Sequence, residues 1–457
     1  MYDSVVRIFA TTQRPDYRSP WQSCAPSSST GSGVVVEGGR ILTGAHVVAE
    51  ATFLQVQKVS DPNKMVARVE AVCHDCDLAL LRLSEPARLA GVEPQLLGGL
   101  PDLRDRVSVV GYPVGGEEIS ITEGVVSRVE VQRYSHSQRQ LLAVTVDAAI
   151  NDGNSGGPVY QDGRVAGIAF QALEDAENIG EMVPASLIRQ FLLGVEKGRP
   201  AQIPGLGVMA QHLENPSLRE RSGLRDGTSG VLVIGVEYAG SAWGHLQVGD
   251  AILEIDGYDI ANNATVRYAD RYRTSFDVFL GDHHVGDEIH ATVLRKGMIE
   301  EIEIELRPYQ GLVPRSRYDE SPRYVIFAGF VFQPLSLDFL RTWNDWWEKA
   351  PAELLHLYYS GLRTEERQEA IVLSQVLADD ISVGYEDSDD VTVELVNGVL
   401  PRNLGHFVEL LEGATDVVDI KVSSGCHLVV DVAAAADAGE RILDRYHIAS
   451  DRSSDLA

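Results

Sequence analysis

Residues 151–163, NDGNSGGPVYQDG, place one serine, Ser155, among four glycines and one proline. Turns of this composition are common and usually form only a tight bend. Acyl transfer by a serine needs a hydroxyl, a base that takes its proton, and an acid that fixes the tautomer of the base. Ser155 can therefore act as a nucleophile only if other segments supply an imidazole and a carboxylate.

Two other segments supply these groups. His46 follows an apolar run in LTGAHVV, and Asp77 opens the apolar run DLALLRL. The chain order His, Asp, Ser is one of three known orders of this triad, the one found on two-barrel scaffolds. If each residue stood alone, His46 would be interpreted as a buried, hydrogen-bonded histidine, Asp77 as an acid that caps a turn, and Ser155 as an ordinary turn residue. Together they predict a base, an orienting acid and a nucleophile.

The glycines around Ser155 fit the same chemistry. The backbone N–H groups of Gly153 and Ser155 are predicted to form an oxyanion hole, a pair of donors for the negative charge of a tetrahedral intermediate. Gly156 and Gly157, followed by Pro158, would let the chain turn sharply into the next strand.

The first 180 residues read as short apolar strands separated by turns, including a Gly-Gly hairpin turn in VVVEGGRILT. This pattern is typical of an antiparallel barrel or a sandwich. Apolar residues then recur at helical spacing in PASLIRQFLLGVEKG, which predicts a helix between Pro184 and Gly198. The stretch RPAQIPGLG after it is a predicted domain boundary.

Two later units share an order of elements: apolar entry strand, long strand, DG or NG turn, helix and hairpin. A Lys296-Gly297 turn joins the last two strands of the first of them. We read them as a divergent tandem pair, with an amphipathic helical insertion at WNDWWEKAPAELLHLYYSG in the second. The predicted domains are 1–200, 204–310 and 315–457.

Composition excludes several classes of function. The chain of 457 residues carries 67 acidic and 39 basic residues, which argues against sequence-independent nucleic-acid binding and against docking on anionic membranes. No apolar run approaches the length of a membrane-spanning helix. Only one Cys-x-x-Cys pair, Cys73 and Cys76, is present. We therefore expect reduced thiols, no metal site and no cofactor. With no secretory signal seen, we expect a cytoplasmic protein, or a periplasmic one if the start is truncated.

In the segments around His46, Asp77 and Ser155 the sequence resembles the HtrA (Deg) serine proteases. The motifs TGSGVVV, LTGAHVV, DLALLRL, VVGYPVG, GVVSR, DAAINDGNSGGPV and GIAF occur in the order that this family uses. The segment ENPSLRE and the last predicted domain, 315–457, are most similar to the plant-type Deg branch. The resemblance implies a mainly β protein: a trypsin/chymotrypsin-like double β-barrel followed by two PDZ-like α+β domains. It also implies that His46, Asp77 and Ser155 are base, orienting acid and nucleophile.

The resemblance and the physics of strand pairing together suggest where peptides bind. The strand around GIAFQ would offer an open edge to an extended substrate, and the entry loop of a PDZ domain binds peptide C-termini through its N–H groups. The predicted peptide-binding residues are Ala169, Phe170, Gln171, Gly205, Leu206, Gly207 and Val208. A second entry loop is predicted near Ala328–Val331, in a domain that can equally serve as an assembly surface. The resemblance implies a homo-oligomer, trimer-based or larger.

The sequence therefore predicts an ATP-independent serine endopeptidase acting on unfolded or damaged proteins. Two alternatives remain open. One is a chaperone-like holdase or peptide-binding scaffold whose catalytic site is dormant, which would suppress aggregation without cleavage. The other is a redox or zinc role for Cys73 and Cys76.

Overall fold

The N-terminal strands are rich in β-branched and aliphatic residues, and in the computed structural model they close into a barrel in the order β1-β2-β3-β6-β5-β4. Its strands are β1 (Val5–Thr12), β2 (Ser27–Val36), β3 (Arg40–Thr43), β4 (Ala51–Lys58), β5 (Asp61–Cys73) and β6 (Leu78–Leu83). A short helix, α1 (Ala45–Val48), follows β3. The predicted Gly-Gly hairpin is confirmed: Gly38 and Gly39 have positive φ and join β2 to β3.

A second barrel follows, in the order β10-β11-β12-β9-β8-β7. Its strands are β7 (Arg106–Gly111), β8 (Ser120–Arg133), β9 (Gln140–Val146), β10 (Pro158–Gln161), β11 (Arg164–Ala172) and β12 (Gly180–Pro184). The predicted helix is α2 (Ala185–Glu196), with Pro184 as its N-cap. The choice between barrel and sandwich is thus resolved as two barrels.

The next elements form a separate sheet in the order β14-β15-β16-β20-β21. The strands of this whole region, both inside and outside that sheet, are β13 (Pro204–Gly205), β14 (Val208–His212), β15 (Val231–Val236), β16 (Ala251–Ile255), β17 (Tyr258–Asp259), β18 (Thr265–Tyr268), β19 (Tyr272–Ser275), β20 (Glu288–Arg295), β21 (Met298–Glu305) and β22 (Arg307–Pro308). The region also contains helix α3 (Pro216–Arg221). The Lys296-Gly297 hairpin is confirmed. Where an α-helix was predicted, the chain forms the β18–β19 hairpin and a 3₁₀ helix, Phe276–Asp282.

The last sheet keeps its strands in chain order, from β23 to β28. The strands are β23 (Val325–Phe327), β24 (Phe330–Pro334), β25 (Ile371–Val376), β26 (Val391–Val396), β27 (Val417–Val422) and β28 (His427–Asp431). The helices are α4 (Leu337–Leu340), α5 (Trp346–Lys349), α6 (Ala352–Ser360), α7 (Leu404–Glu412) and α8 (Val432–Tyr446). Short 3₁₀ helices lie at Tyr2–Ser4, Pro86–Leu89, Asp380–Ser382 and Ser454–Leu456.

The predicted helical insertion forms two helices, α5 and α6, rather than one. Pro351 is the N-cap of α6, and proline cannot donate the backbone hydrogen bond that a continuous helix would need there. Trp343 and Trp346 pack against the apolar cluster beneath these helices, whereas Trp347 is 53% exposed.

The structure describes residues 2–113, 118–150, 153–172, 179–225 and 227–456. They form two units, one of residues 2–13 and Pro26–Tyr309, the other of Arg14–Ala25 and residues 310–456. The second unit thus includes a segment that lies between β1 and β2 in the sequence. Within the described ranges, no helix combines the length and the apolar character needed to cross a membrane.

Candidate active site

His46 and Asp77 meet because the strands that carry them are neighbours. β3, which leads into His46, pairs with β6, which begins directly after Asp77. The backbone N–H of His46 donates to Asp77 Oδ1 at 2.8 Å. The ring Nδ1 lies 2.6 Å from Asp77 Oδ2. Both oxygens of one carboxylate therefore hold the same histidine, through its backbone and its ring.

Asp77 is almost completely buried. Burial alone would raise its pKa, but the positive charge and hydrogen bonds of His46, together with the charge of His136, lower it below the usual value. Burial likewise opposes protonation of His46, but the charge and hydrogen bond of Asp77 outweigh it and raise the pKa of His46 above 6.5. Asp77 is thus held as a carboxylate that accepts a hydrogen bond from Nδ1–H.

The other ring nitrogen of His46 is the atom available for chemistry. Nε2 is buried, and no residue that the structure describes forms a hydrogen bond with it. With Nδ1–H directed at Asp77, the lone pair of the neutral ring lies on Nε2. This is the state in which a histidine acts as a general base.

Ser155 lies in the turn between β9 and β10, and this turn packs against the residues that precede His46. The Ser155 carbonyl accepts a hydrogen bond from the Ser32 N–H at 2.9 Å. A Cβ added to Gly156, the next residue, would contact Thr43 Oγ1 and would lie 3.0 Å from the Gly44 nitrogen. The fold therefore brings the three predicted segments to one place.

Gly153, the predicted oxyanion residue, adopts φ of +94°, which favours glycine. Its carbonyl accepts a hydrogen bond from Ser32 Oγ at 2.7 Å. The same hydroxyl oxygen accepts from the Tyr112 N–H at 2.8 Å. Ser32 thus holds the Ser155 turn at both Gly153 and Ser155. Sequence reasoning missed this residue, although it stands within the quoted motif TGSGVVV.

A pair of histidines next to this dyad was also missed. His74 Nδ1 and His136 Nε2 are 3.0 Å apart, and the ring centroid of His136 lies 6.3 Å from that of His46. His136 is buried and comes from the β8–β9 connection, 62 residues from His74. No local sequence signal links these two positions.

Ala169, Phe170 and Gln171 lie on β11, beside the Ser155 turn. The Gly156 N–H donates to the Ala169 carbonyl at 2.7 Å. β10 reaches only Ile168 of β11, whereas β12 pairs with β11 as far as Ala172. Among the strands that the structure describes, β11 is therefore paired on one side only beyond Ala169. Phe170 itself is buried and stacks on Tyr134, with ring centroids 4.3 Å apart.

The second predicted peptide-binding stretch, Gly205–Val208, forms a loop between β13 and the edge strand β14. Its carbonyls accept hydrogen bonds: Gly205 from Ser241 Oγ, Leu206 from the Ala242 N–H and Gly207 from the Glu237 N–H. Leu206 is buried, and Gly207 adopts φ of +74°. The loop is thus fixed through its carbonyls, and no described strand pairs with the outer edge of β14.

The stretch near Ala328–Val331 is arranged differently. Ala328 and Gly329 have φ of +50° and +86° and form a tight hairpin turn between β23 and β24. β24 is therefore flanked by β23 and β25. The outer side of β23 is bridged to Arg452, near the end of the described chain. The chain itself covers the edge that a peptide would join.

Comparisons with known proteins agree with this architecture. A family model described as a trypsin-like peptidase domain matches residues 31–168, and one described as a PDZ domain matches residues 313–455. The chain is 36% identical to the putative protease Do-like 3, mitochondrial, of Arabidopsis thaliana, covering 99% of this chain and 80% of that protein. It is 37% identical to the protease Do-like 2, chloroplastic, of the same plant, covering 99% and 75%.

Comparison with solved structures also agrees with this architecture. The HtrA-type protease AlgW with tripeptide is 25% identical, with a TM-score of 0.51, covering 67% of this chain and 94% of that one.

The predicted cytoplasmic location is wrong. Relatives that match nearly the whole chain are named as mitochondrial or chloroplastic proteins. The prediction was based only on the lack of a secretory pattern in the first residues. That pattern concerns one export route and does not distinguish the cytoplasm from an organelle.

Full-length identity above 30%, the two closed barrels and the matched domains together assign the family. The chain belongs to the Deg or Do-like (HtrA) family of serine proteases, with a trypsin-like peptidase domain and a PDZ domain.

Proposed function

We propose that this chain is an ATP-independent serine endopeptidase that hydrolyses peptide bonds of unfolded or damaged proteins. In this proposal His46 is the general base, Asp77 the orienting acid and Ser155 the nucleophile. The observation that supports it most strongly is His46 itself: Nδ1 is bound to a buried carboxylate, while Nε2 is buried and unpaired among the described residues.

In the first step Nε2 takes the proton of the Ser155 hydroxyl as its oxygen attacks the substrate carbonyl carbon. The carbonyl oxygen becomes an oxyanion, and the N–H groups of Gly153 and Ser155 would donate to it. The protonated His46, stabilised by Asp77, then gives the proton to the leaving amine, and the acyl-enzyme forms. Water repeats the sequence with His46 as base and releases the acid and free Ser155.

The substrate would lie along the one-sided part of β11. An extended peptide could add there as a strand, next to the Ala169 carbonyl that already accepts from the Ser155 turn. The loop of Gly205–Val208 and the free edge of β14 would bind a peptide C-terminus in the same way. These two edges support the peptide-binding residues predicted from the sequence.

We propose a division into a protease domain, 1–200, and two PDZ-like domains, 204–310 and 315–457. The covered edge of β24 in the second of these supports a role in assembly rather than in peptide capture. A homo-oligomer, trimer-based or larger, is part of this proposal. Light scattering after gel filtration would test it, and a monomer at micromolar concentration would contradict it.

The central test is Ser155→Ala, with casein as an unfolded substrate and a fluorophosphonate probe as a label for an activated serine. Loss of a triad member typically lowers turnover by about 10⁴ to 10⁶, so cleavage and labelling should both vanish. Ser217→Ala, at an exposed serine of α3, is the matched control and should cleave at the parental rate.

Two outcomes would contradict the proposal. Cleavage by the Ser155→Ala variant at the parental rate would place the nucleophile elsewhere. If the parent protein suppresses aggregation of the client but neither cleaves nor takes the label, it is a holdase with a dormant site.

A further inference from the structure

A cavity of about 690 Å³ lies on the first unit, away from the His46–Asp77 dyad. Its walls come from β1, from the end of β4 with the turn that follows, from the start of β5, and from the chain after β7. The polar residues that matter for its chemistry are Arg7, Lys58, Lys64, Tyr112 and Glu118. Three cations and one carboxylate thus face the same space in a chain whose net charge is −28.

The three cations have no carboxylate partner: within the described ranges no ion pair involves Arg7, Lys58 or Lys64. Lys64 Nζ lies 3.6 Å from the centroid of the Phe9 ring, and the Arg7 guanidinium carbon lies 4.9 Å from it. Two positive groups therefore share one aromatic ring. Lys58 Nζ donates to the Arg88 carbonyl at 2.8 Å.

Two polar atoms in the walls are buried and lack a hydrogen-bond partner among the residues described: Tyr112 Oη and Arg7 Nε. Tyr112 is only 4% exposed. Burial and the charge of Glu118 raise its pKa to about 12, although Arg7 opposes the shift, so the phenol keeps its proton. An unpaired buried donor is unfavourable, and an acceptor placed against it would remove that cost.

These groups together match one kind of ligand. Arginine, lysine and a protonated phenol are all hydrogen-bond donors, and charged donors bind anionic oxygens most strongly. Water would satisfy the phenol but would leave most of the positive charge uncompensated, because only one carboxylate, Glu118, faces the three cations in this cavity. We propose that this cavity binds an oxyanion, the phosphate or carboxylate group of a ligand, through Arg7, Lys58, Lys64 and Tyr112.

The site is separate from the candidate catalytic residues but is connected to them through one side chain. The Tyr112 N–H donates to Ser32 Oγ, and Ser32 Oγ donates to the Gly153 carbonyl in the Ser155 turn. The proposal does not depend on the catalytic assignment, because it is stated as binding and is measured as binding.

The test is a titration of the full chain with inorganic phosphate and, separately, with citrate as a carboxylate, at constant ionic strength set with chloride. Isothermal titration calorimetry and the thermal unfolding midpoint would both be recorded. We expect at least one of the two anions to bind and to raise the midpoint, with chloride having no such effect. Binding of phosphate alone or of citrate alone would identify the class of oxyanion.

Arg7→Met and Lys64→Met should each weaken binding by about tenfold or more, because each removes a charge-assisted hydrogen bond. Tyr112→Phe removes one oxygen and should weaken it several-fold, which keeps the test open if a charge variant fails to fold. Lys197→Met, at an exposed lysine after α2, should bind as the parent does. Equal responses to chloride and both oxyanions, or unchanged binding in the Arg7 and Lys64 variants, would overturn the proposal.

Discussion

At the scale of single residues, the His46–Asp77 pair shows how burial and charge act against each other. Burial is the largest influence on both groups and favours the neutral form of each. The short contact between them reverses the direction for both, because a carboxylate and an imidazolium stabilise each other strongly away from water. The pair is therefore suited to hold the proton that His46 would receive in the proposed mechanism.

This electrostatic balance predicts a pH profile. Since the proposed mechanism needs neutral His46 and the pKa of His46 is raised above 6.5, the kcat/KM of the parent should fall on acidification through a pH above 6.5. Asp77→Asn removes the negative charge beside His46 but leaves the ring buried. The acidic limb of the pH profile should therefore move to lower pH. The rate should also fall by about 10⁴, because the ring loses its fixed tautomer.

Rates of peptide cleavage measured from about pH 5 to 9 would show both effects. Asp162→Asn, in an exposed turn with φ of +49° that asparagine tolerates, is the control and should leave the profile unchanged. An acidic limb that stays in place in Asp77→Asn would rule out Asp77 as the source of the shift.

At the scale of elements, the turn that carries Ser155 is held from several sides. Ser32 on β2 binds Gly153 and Ser155, and Ala169 on β11 binds Gly156 and Gly157. The first strand belongs to the first barrel and the second to the other barrel. The position of Ser155, the proposed nucleophile, is therefore set where the two barrels meet.

Gly156 tests how tightly this turn is held. It adopts φ of +79°, and an added Cβ would lie 2.5 Å from the Ser32 carbonyl oxygen and in contact with Thr43. Gly156→Ala should lower the free energy of unfolding by about 2 to 4 kcal/mol, as the sum of backbone strain and overpacking. Urea denaturation would measure this loss, and peptide cleavage should fall with it.

Gly198→Ala separates the two contributions. Gly198 also has positive φ, at +63°, but an added Cβ would meet no atom within 4 Å. The control should lose only about 1 to 2 kcal/mol, the backbone cost alone. Equal losses in the two variants would mean that the packing around Gly156 is not as tight as the structure shows.

At the scale of the whole molecule, the second unit is built from two separate parts of the sequence. Arg14–Ala25 belongs to it although the flanking strands, β1 and β2, belong to the first unit. Within the second unit the Arg18 guanidinium lies 2.6 Å from Asp390 Oδ1 and 4.1 Å from the Trp343 ring centroid. Burial raises the pKa of Asp390, and Arg18 acts in the opposite direction.

Arg18→Ala should loosen this segment. The ion pair is partly exposed, so solvent screening limits its loss, with the cation–π contact, to an order of 1 kcal/mol. That corresponds to a roughly fivefold drop in amide hydrogen-exchange protection of residues 14–25. Arg14→Ala, at an exposed arginine of the same segment, should leave protection unchanged. Unaltered exchange in Arg18→Ala would show that other contacts hold the segment.

Patterns local to the sequence predicted the strands, the hairpins at Gly38–Gly39 and Lys296–Gly297, and the helix after Pro184, because turn chemistry and apolar periodicity act over a few residues. The shared order of elements predicted an α-helix between the DG turn and the last hairpin of the first later unit, where the chain forms the β18–β19 hairpin and a 3₁₀ helix. The apolar pattern also left the Ala328–Gly329 turn hidden inside an apolar run. In both places tertiary packing outweighs local preference.

The chemical identity of the candidate site, a serine, a histidine and a carboxylate in a recognisable chain order, can be read from the residues alone. Their arrangement cannot: Ser32 binds Gly153 across 121 residues, His136 lies beside His74 across 62, and Arg18 meets Asp390 across 372. Contacts at such separations form only after the barrels and sheets have closed. They depend on the summed packing of many side chains rather than on any one motif.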